Sequence, residues 1–147
     1  MQDKRIVIAS DHGGFEMKRV LVEKLASEGY EVIDKGVFSS ESVDYPDMAK
    51  VLALAIQNAE AEKGVLLCGT GIGMSIAVNR YPFIRGALVH DSYTARLARQ
   101  HNDANVLVLG GRSTGVEVAK ECLDIFLTTA FEGGRHERRV EKLQKML

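Results

Sequence analysis

Five short apolar runs recur along the chain, each separated from the next by a stretch long enough for a helix. That alternation predicts a parallel sheet with right-handed helical crossovers on both faces. Residues 5–10 read as a buried strand. After Asp11-His12-Gly13-Gly14 a helical pattern places Met17, Leu21 and Leu25 on one face until Gly29 stops it. Residues 30–34 form a second strand, and Pro46 suits the first turn of a helix carrying Met48, Leu52, Ala55 and Ala59. Strand 65–68 with helix 74–80, ended by Pro82, makes the third pair, and 85–89 with 92–101 the fourth. A fifth strand spans 105–109. Thr114 and Glu117 then form a capping-box signature for a helix through Cys122 to about Thr129. A last helix begins near Arg135 and carries Val140, Leu143 and Leu147 on its apolar side. The expected fold is α/β: a three-layer, doubly wound, parallel five-stranded sheet, Rossmann-like, with an extra C-terminal helix, all in one domain spanning 1–147.

Charge and cysteine content narrow the function classes. With 19 basic against 20 acidic side chains there is no electrostatic footprint for nucleic acid or an anionic membrane, so the expected partner is a small molecule. Cys68 and Cys122 lie far apart and show no metal-ligand spacing, and no apolar stretch resembles a signal peptide or a membrane span. A reducing, cytoplasmic setting is the expectation, with no metal and no cofactor.

The chemistry concentrates where the third strand ends. Residues 64–68 run into a thiol and then into Gly69-Thr-Gly-Ile-Gly73, a turn whose amides are open to a ligand and which opens a helix. Thiols beside such a helix start ionise more readily, which makes Cys68 a candidate base or nucleophile. The amides of Gly69, Gly71, Ile72 and Gly73 and the Thr70 hydroxyl are candidates to cradle a phosphate or a developing oxyanion. In doubly wound sheets ligands bind beyond the carboxyl ends of the strands, and Asp11, His12, Cys68, Thr70, His90, Asp91 and Arg112 all fall there.

Each of these residues also has a structural reading. An unpaired cysteine is commonly a small core residue, and that account suits Cys122. Asp11 serves equally as a helix cap, whereas His12 at the sheet edge can donate to phosphate or move protons. Asn102 is an ordinary helix terminator, which leaves His101 beside it unexplained. Arg135 and Arg139, four apart on one helical face after Gly133-Gly134, read either as a solvated surface or as a double clamp on a dianion. The glycine loop with Asp91 about 20 residues on also suggests a dinucleotide site, but the spacing is G-x-G-x-G and the loop follows the third strand instead of the first.

Five segments together resemble the type B ribose-5-phosphate isomerases: Ser10-Asp-His-Gly-Gly-Phe15, Ser42-Val-Asp-Tyr-Pro46, Cys68-Gly-Thr-Gly-Ile-Gly73, Arg99-Gln-His-Asn-Asp103 and Phe131-Glu-Gly-Gly-Arg-His136. The wider group includes galactose-6-phosphate isomerase subunits. The resemblance implies a metal-free exchange of ribose 5-phosphate and ribulose 5-phosphate through an enediolate, in a homodimer whose sites draw on two chains, with a tetramer as the alternative assembly. Carried over residue by residue, Cys68 matches the base, Thr70 with Gly71 to Gly73 the hole for the enediolate oxygen, and His101 the ring-opening group. Asp11 and Tyr45 match residues lining the sugar, with Asn102 beside the histidine. His12, Arg112, Arg135 and Arg139 match the phosphate ligands. One branch of the family uses a glutamate six residues after the cysteine position, where this chain has Met74, which places it with the cysteine branch. The alternatives are isomerisation of a hexose or tetrose phosphate, or a non-catalytic nucleotide-binding module.

Overall fold

In the computed structural model, which describes residues 3–146, five parallel strands form one sheet in the order β2-β1-β3-β5-β4. The strands are β1 (Arg5–Ser10), β2 (Glu31–Asp34), β3 (Gly64–Cys68), β4 (Gly86–Leu88) and β5 (Val106–Gly110). The helices are α1 (Phe15–Ser27), α2 (Tyr45–Gln57), α3 (Ile72–Val78), α4 (Ser92–Gln100), α5 (Val116–Thr128) and α6 (Arg135–Gln144). The expected α/β, doubly wound architecture with a C-terminal helix is the one observed. Among the described residues no helix is long and apolar enough to cross a membrane.

The central strands β1, β3 and β5 are apolar at nearly every position because both of their faces are covered. Alternate side chains separate cleanly. Ile6, Ile8, Val65, Leu67, Leu107 and Leu109 pack against α1, α4 and α5. Val7, Ala9, Leu66, Val106 and Val108 face α2 and α3, and Cys68 projects to that same side. Fully buried leucines such as Leu21, Leu52 and Leu107 each contribute about 1.5–3 kcal/mol by leaving water.

The chain winds outward from β1 to β2 and, after returning to β3, outward in the opposite direction toward β4. In sheets that reverse in this way the ligand crevice lies between the carboxyl ends of the two strands at the switch point, here β1 and β3. It is at that crevice that Asp11, His12 and Cys68 emerge.

Three local expectations are corrected. Ala59 lies beyond α2, whose last residue is Gln57, and adopts φ 60°, the left-handed conformation that ends a helix. Thr114 does not cap α5. Its amide turns back to Gly110 O at 3.0 Å, its hydroxyl is buried with no partner among the described residues, and Gly115 takes the cap position without a side-chain bond. Glu117 pairs instead with Lys120 at 3.6 Å. On α6, Val140 is buried but Leu143 is half exposed, and Leu147 lies outside the described residues.

Candidate active site

Three loops meet at the carboxyl edge of the sheet, and their contact is close enough to exclude side chains. A β-carbon placed on Gly13 would fall 2.9 Å from Gly69 N, and one on Gly111 would fall 2.7 Å from Gly13 O. The strand pairing continues into these loops through Asp11 N to Leu67 O (3.1 Å), Gly111 N to Cys68 O (2.8 Å) and Arg112 N to Gly69 O (2.8 Å). The backbone therefore holds Asp11, Cys68 and Arg112 on adjacent strands' ends with little freedom.

Cys68 closes β3 with 6% of its surface exposed. Its sulfur accepts the Gly71 amide at 3.1 Å. Gly71 adopts φ 81°, and this left-handed turn aims its N–H back at the strand while starting α3. Ile72 N donates to Thr70 Oγ1 at 3.2 Å, so two of the loop's amides are engaged locally and the Thr70 hydroxyl is oriented by one of them. Thr70 itself is exposed.

The flanking groups converge on this loop. The Tyr45 ring lies over Gly73, where a β-carbon would meet its Cε1 and Cζ at 2.7 Å. The Arg112 side chain lies over Gly69, with Cδ and Nη1 3.7 and 3.8 Å from the equivalent position. Asp11 caps the turn after β1, its Oδ1 accepting Gly13 N at 2.9 Å and Gly14 N at 3.2 Å, so the capping reading of this residue is observed. His12 Nδ1 accepts the Val43 amide at 3.2 Å, which puts the ring proton of the neutral imidazole on Nε2 as a donor. Asp91 is committed elsewhere. It caps α4 through Thr94 N and Thr94 Oγ1, both at 2.8 Å, and those bonds hold its carboxyl below the usual range, which answers for it without a nucleotide ribose.

The remaining expected residues sit at the opposite end of the sheet. Gly64, the first residue of β3, donates to Asn105 O at 2.9 Å, so His101 and Asn102, just before it, lie at the amino ends of the strands. A strand length of roughly 13 Å separates that edge from Cys68. Arg135 and Arg139 lie there too. Their helix is tied to this edge by His136, whose ring stacks on His101 at 4.1 Å between centroids and 13° between planes. One chain thus carries two separate groups: Asp11, His12, Tyr45, Cys68, Gly69, Thr70, Gly71, Ile72, Gly73 and Arg112 at one edge, and His101, Asn102, Arg135 and Arg139 at the other.

This second group includes partners that sequence spacing did not reveal. Glu132 Oε1 lies 3.8 Å from Nε2 of both His101 and His136, and donor atoms of the three residues all fall within 4.8 Å of one another. No local pattern foreshadows this, because the residues are more than 30 positions apart in part and meet only when α6 folds back on α4. The set does not suit a metal. An ion must lie in the plane of each imidazole it binds, and two nearly parallel stacked rings share no such point. His136 is 7% exposed, and burial, followed by the neighbouring His101 and Arg135, lowers its proton affinity below the ordinary value of 6.5.

Comparison with known proteins identifies the family. The sequence pattern of the family described as Ribose/Galactose Isomerase matches residues 6–143. Ribose-5-phosphate isomerase B of Escherichia coli (strain K12) is 48% identical over 140 residues, covering 95% of this chain and 94% of that protein. A solved structure of ribose-5-phosphate isomerase B from Clostridium thermocellum superposes with a TM-score of 0.95 at 47% identity, covering 97% and 96% of the two chains. That of a ribose 5-phosphate isomerase from Thermotoga maritima gives 0.94 at 55% identity, covering 96% and 97%. A family pattern that matches residues 6–143 and relatives about half identical over nearly the whole length mean that this chain belongs to the Ribose/Galactose Isomerase family.

Proposed function

We propose that this protein interconverts ribose 5-phosphate and ribulose 5-phosphate by proton transfer through an enediolate, with Cys68 as the base. The observation that carries the reading is the Gly71 amide directed at the Cys68 sulfur at 3.1 Å, at the switch-point crevice of the sheet. A proton next to a carbonyl leaves only if negative charge is met as it forms, so the base needs preorganised donors at hand. The thiolate of Cys68 takes the proton from C2 and returns it to C1, while the Thr70 hydroxyl and the Gly73 amide, which neither local bond engages, meet the oxygen of the enediolate. Met74, six residues on, is fully buried and carries no titratable group, in keeping with a base at Cys68.

The sugar lies between Asp11 and Tyr45. Its phosphate is held by the Nε2–H of His12 and by Arg112, Arg135 and Arg139, whose binding energy fixes the carbon skeleton against the base. No metal or organic cofactor takes part.

The site is completed by a second copy of the chain. His101, Asn102, Arg135 and Arg139 lie a strand length from Cys68 in their own subunit, so they serve the Cys68 of a partner across a two-fold axis. An apolar surface suits such pairing: Ile72 (55% exposed) and Ile76 (57%) stand one turn apart on α3, next to the exposed Val51 and Leu54 of α2. Both cysteines are free, in keeping with a reducing cytoplasm.

Steady-state rates on five-, six- and four-carbon aldose phosphates test the substrate. The highest kcat/KM is expected on ribose 5-phosphate, and a clear preference for a hexose or tetrose phosphate would reassign it within the family.

A further inference from the structure

Opening a furanose is a separate task from moving the carbon-bound proton, and the amino edge of the sheet holds a group of residues that suits it. His101 is half-buried at the end of α4, with its amide bonded to Leu97 O at 2.8 Å. The buried His136 lies flat against it, 4.1 Å away and 13° from parallel. The carboxylate of Glu132 stands 3.8 Å from Nε2 of each ring, and the Glu132 amide donates to Gln100 O at 3.1 Å, pinning that segment to the residue just before His101. His136 is fixed in turn through its amide to Gly133 O at 3.1 Å.

We propose that Glu132 and His136 are positioning residues for ring opening: His136 sets the plane of the His101 imidazole, and Glu132 holds the proton of that imidazole on Nε2, leaving Nδ1 to act on the sugar. This rests on the isomerase reading given above. A small rotation of the exposed Glu132 side chain closes 3.8 Å to a hydrogen bond, and a carboxylate in that place selects one tautomer of the ring. The step balances on the imidazole alone. Nδ1 takes the proton from O1 of the furanose, the C1–O4 bond breaks as C1=O1 forms, and Nδ1 gives the proton to O4, which becomes the 4-hydroxyl. The imidazole ends as it began. A stacked neighbour favours this cycle only if it stays neutral, since two charged rings face to face repel, and the burial of His136 disfavours its protonation.

The experiment separates ring opening from proton transfer at carbon. Ribulose 5-phosphate cannot close a five-membered ring, because its O5 is esterified, so uptake of deuterium from solvent at its C1 needs the base and the enediolate hole but no ring opening. Glu132→Gln and His136→Ala are expected to lower kcat on ribose 5-phosphate by about 10- to 100-fold, with KM changed by no more than about twofold and deuterium uptake into ribulose 5-phosphate at the wild-type rate. His136→Phe, which keeps a flat face, should recover most of the kcat lost in His136→Ala. Unchanged kcat in Glu132→Gln and His136→Ala, or deuterium uptake that falls in step with kcat, overturns the proposal. A wild-type protein that neither turns over ribose 5-phosphate nor takes up deuterium overturns the isomerase reading and this inference with it. A wild-type protein that does both, matched by Glu132→Gln and His136→Ala, overturns the positioning role alone.

Discussion

The amide of Gly71 donates to the sulfur of Cys68 at 3.1 Å, across a turn in which Gly71 holds φ 81°. An alanine at 71 would strain that turn and set its β-carbon 2.5 Å from Leu88 Cδ1 and 3.1 Å from the Leu109 backbone. Gly71→Ala is therefore expected to lose on the order of 1–3 kcal/mol of stability in urea unfolding, and to lower kcat by more than it raises KM because the donor beside the base moves. Wild-type stability and kcat would show that neither the turn nor its N–H matters.

The two thiols differ in setting, and labelling should separate them. Cys122 is wholly buried on α5, and burial pushes its thiol up to about 11. Cys68 ends β3 with 6% of its surface exposed, beside the glycine loop. Treating the native protein with a small alkylating agent at neutral pH should modify Cys68 and abolish turnover while Cys122 stays unmodified, as peptide mass mapping will show. Modification of Cys122 at a comparable rate would contradict the packing of α5.

Stability should depend on pH through His136. Its proton affinity is depressed below 6.5, first by burial and then by His101 and Arg135, with Arg139 adding to this and Glu132 opposing it. The unfolded chain then binds more protons at this position than the folded one, so stability is fully present above about pH 6.5 and falls as the solution is acidified. Thermal midpoints between pH 7.5 and 5.5, measured in parallel, should decline more in the wild type than in His136→Gln. Parallel curves would remove His136 from the linkage.

If each site draws on two subunits, inactive variants should rescue one another. Cys68→Ala and Arg139→Ala damage opposite edges of the sheet, so a mixed dimer of the two has one site with both lesions and one with neither. After subunit exchange an equal mixture should recover about a quarter of wild-type activity, by the statistics of a symmetric dimer. No recovery, with exchange verified by mass, would place both residues in a site built from a single chain.

The sheet was legible because β1, β3 and β5 are buried on both faces and the sequence spells them as unbroken apolar runs. Helix starts were less so. Thr114 and Glu117 have the spacing of a capping box, yet tertiary packing draws Thr114 into the turn after β5 and leaves the cap to Gly115. At the carboxyl edge, Cys68, Thr70 and Asp11 could be placed together because strand ends follow from the winding of the sheet. The pairing of His101 with Glu132 and His136 could not, since it arises where α6 doubles back on α4 and no periodicity encodes that contact. Nor does a sequence say that two sets of residues at opposite edges belong to one site. That needs the direction of every strand.

The most direct test of the account is the turnover of Cys68→Ala on ribose 5-phosphate, with folding verified by circular dichroism. Loss of about 10³-fold or more in kcat, with a native spectrum, is the predicted result. Turnover within about tenfold of wild type would contradict it and take the sulfur out of the chemistry.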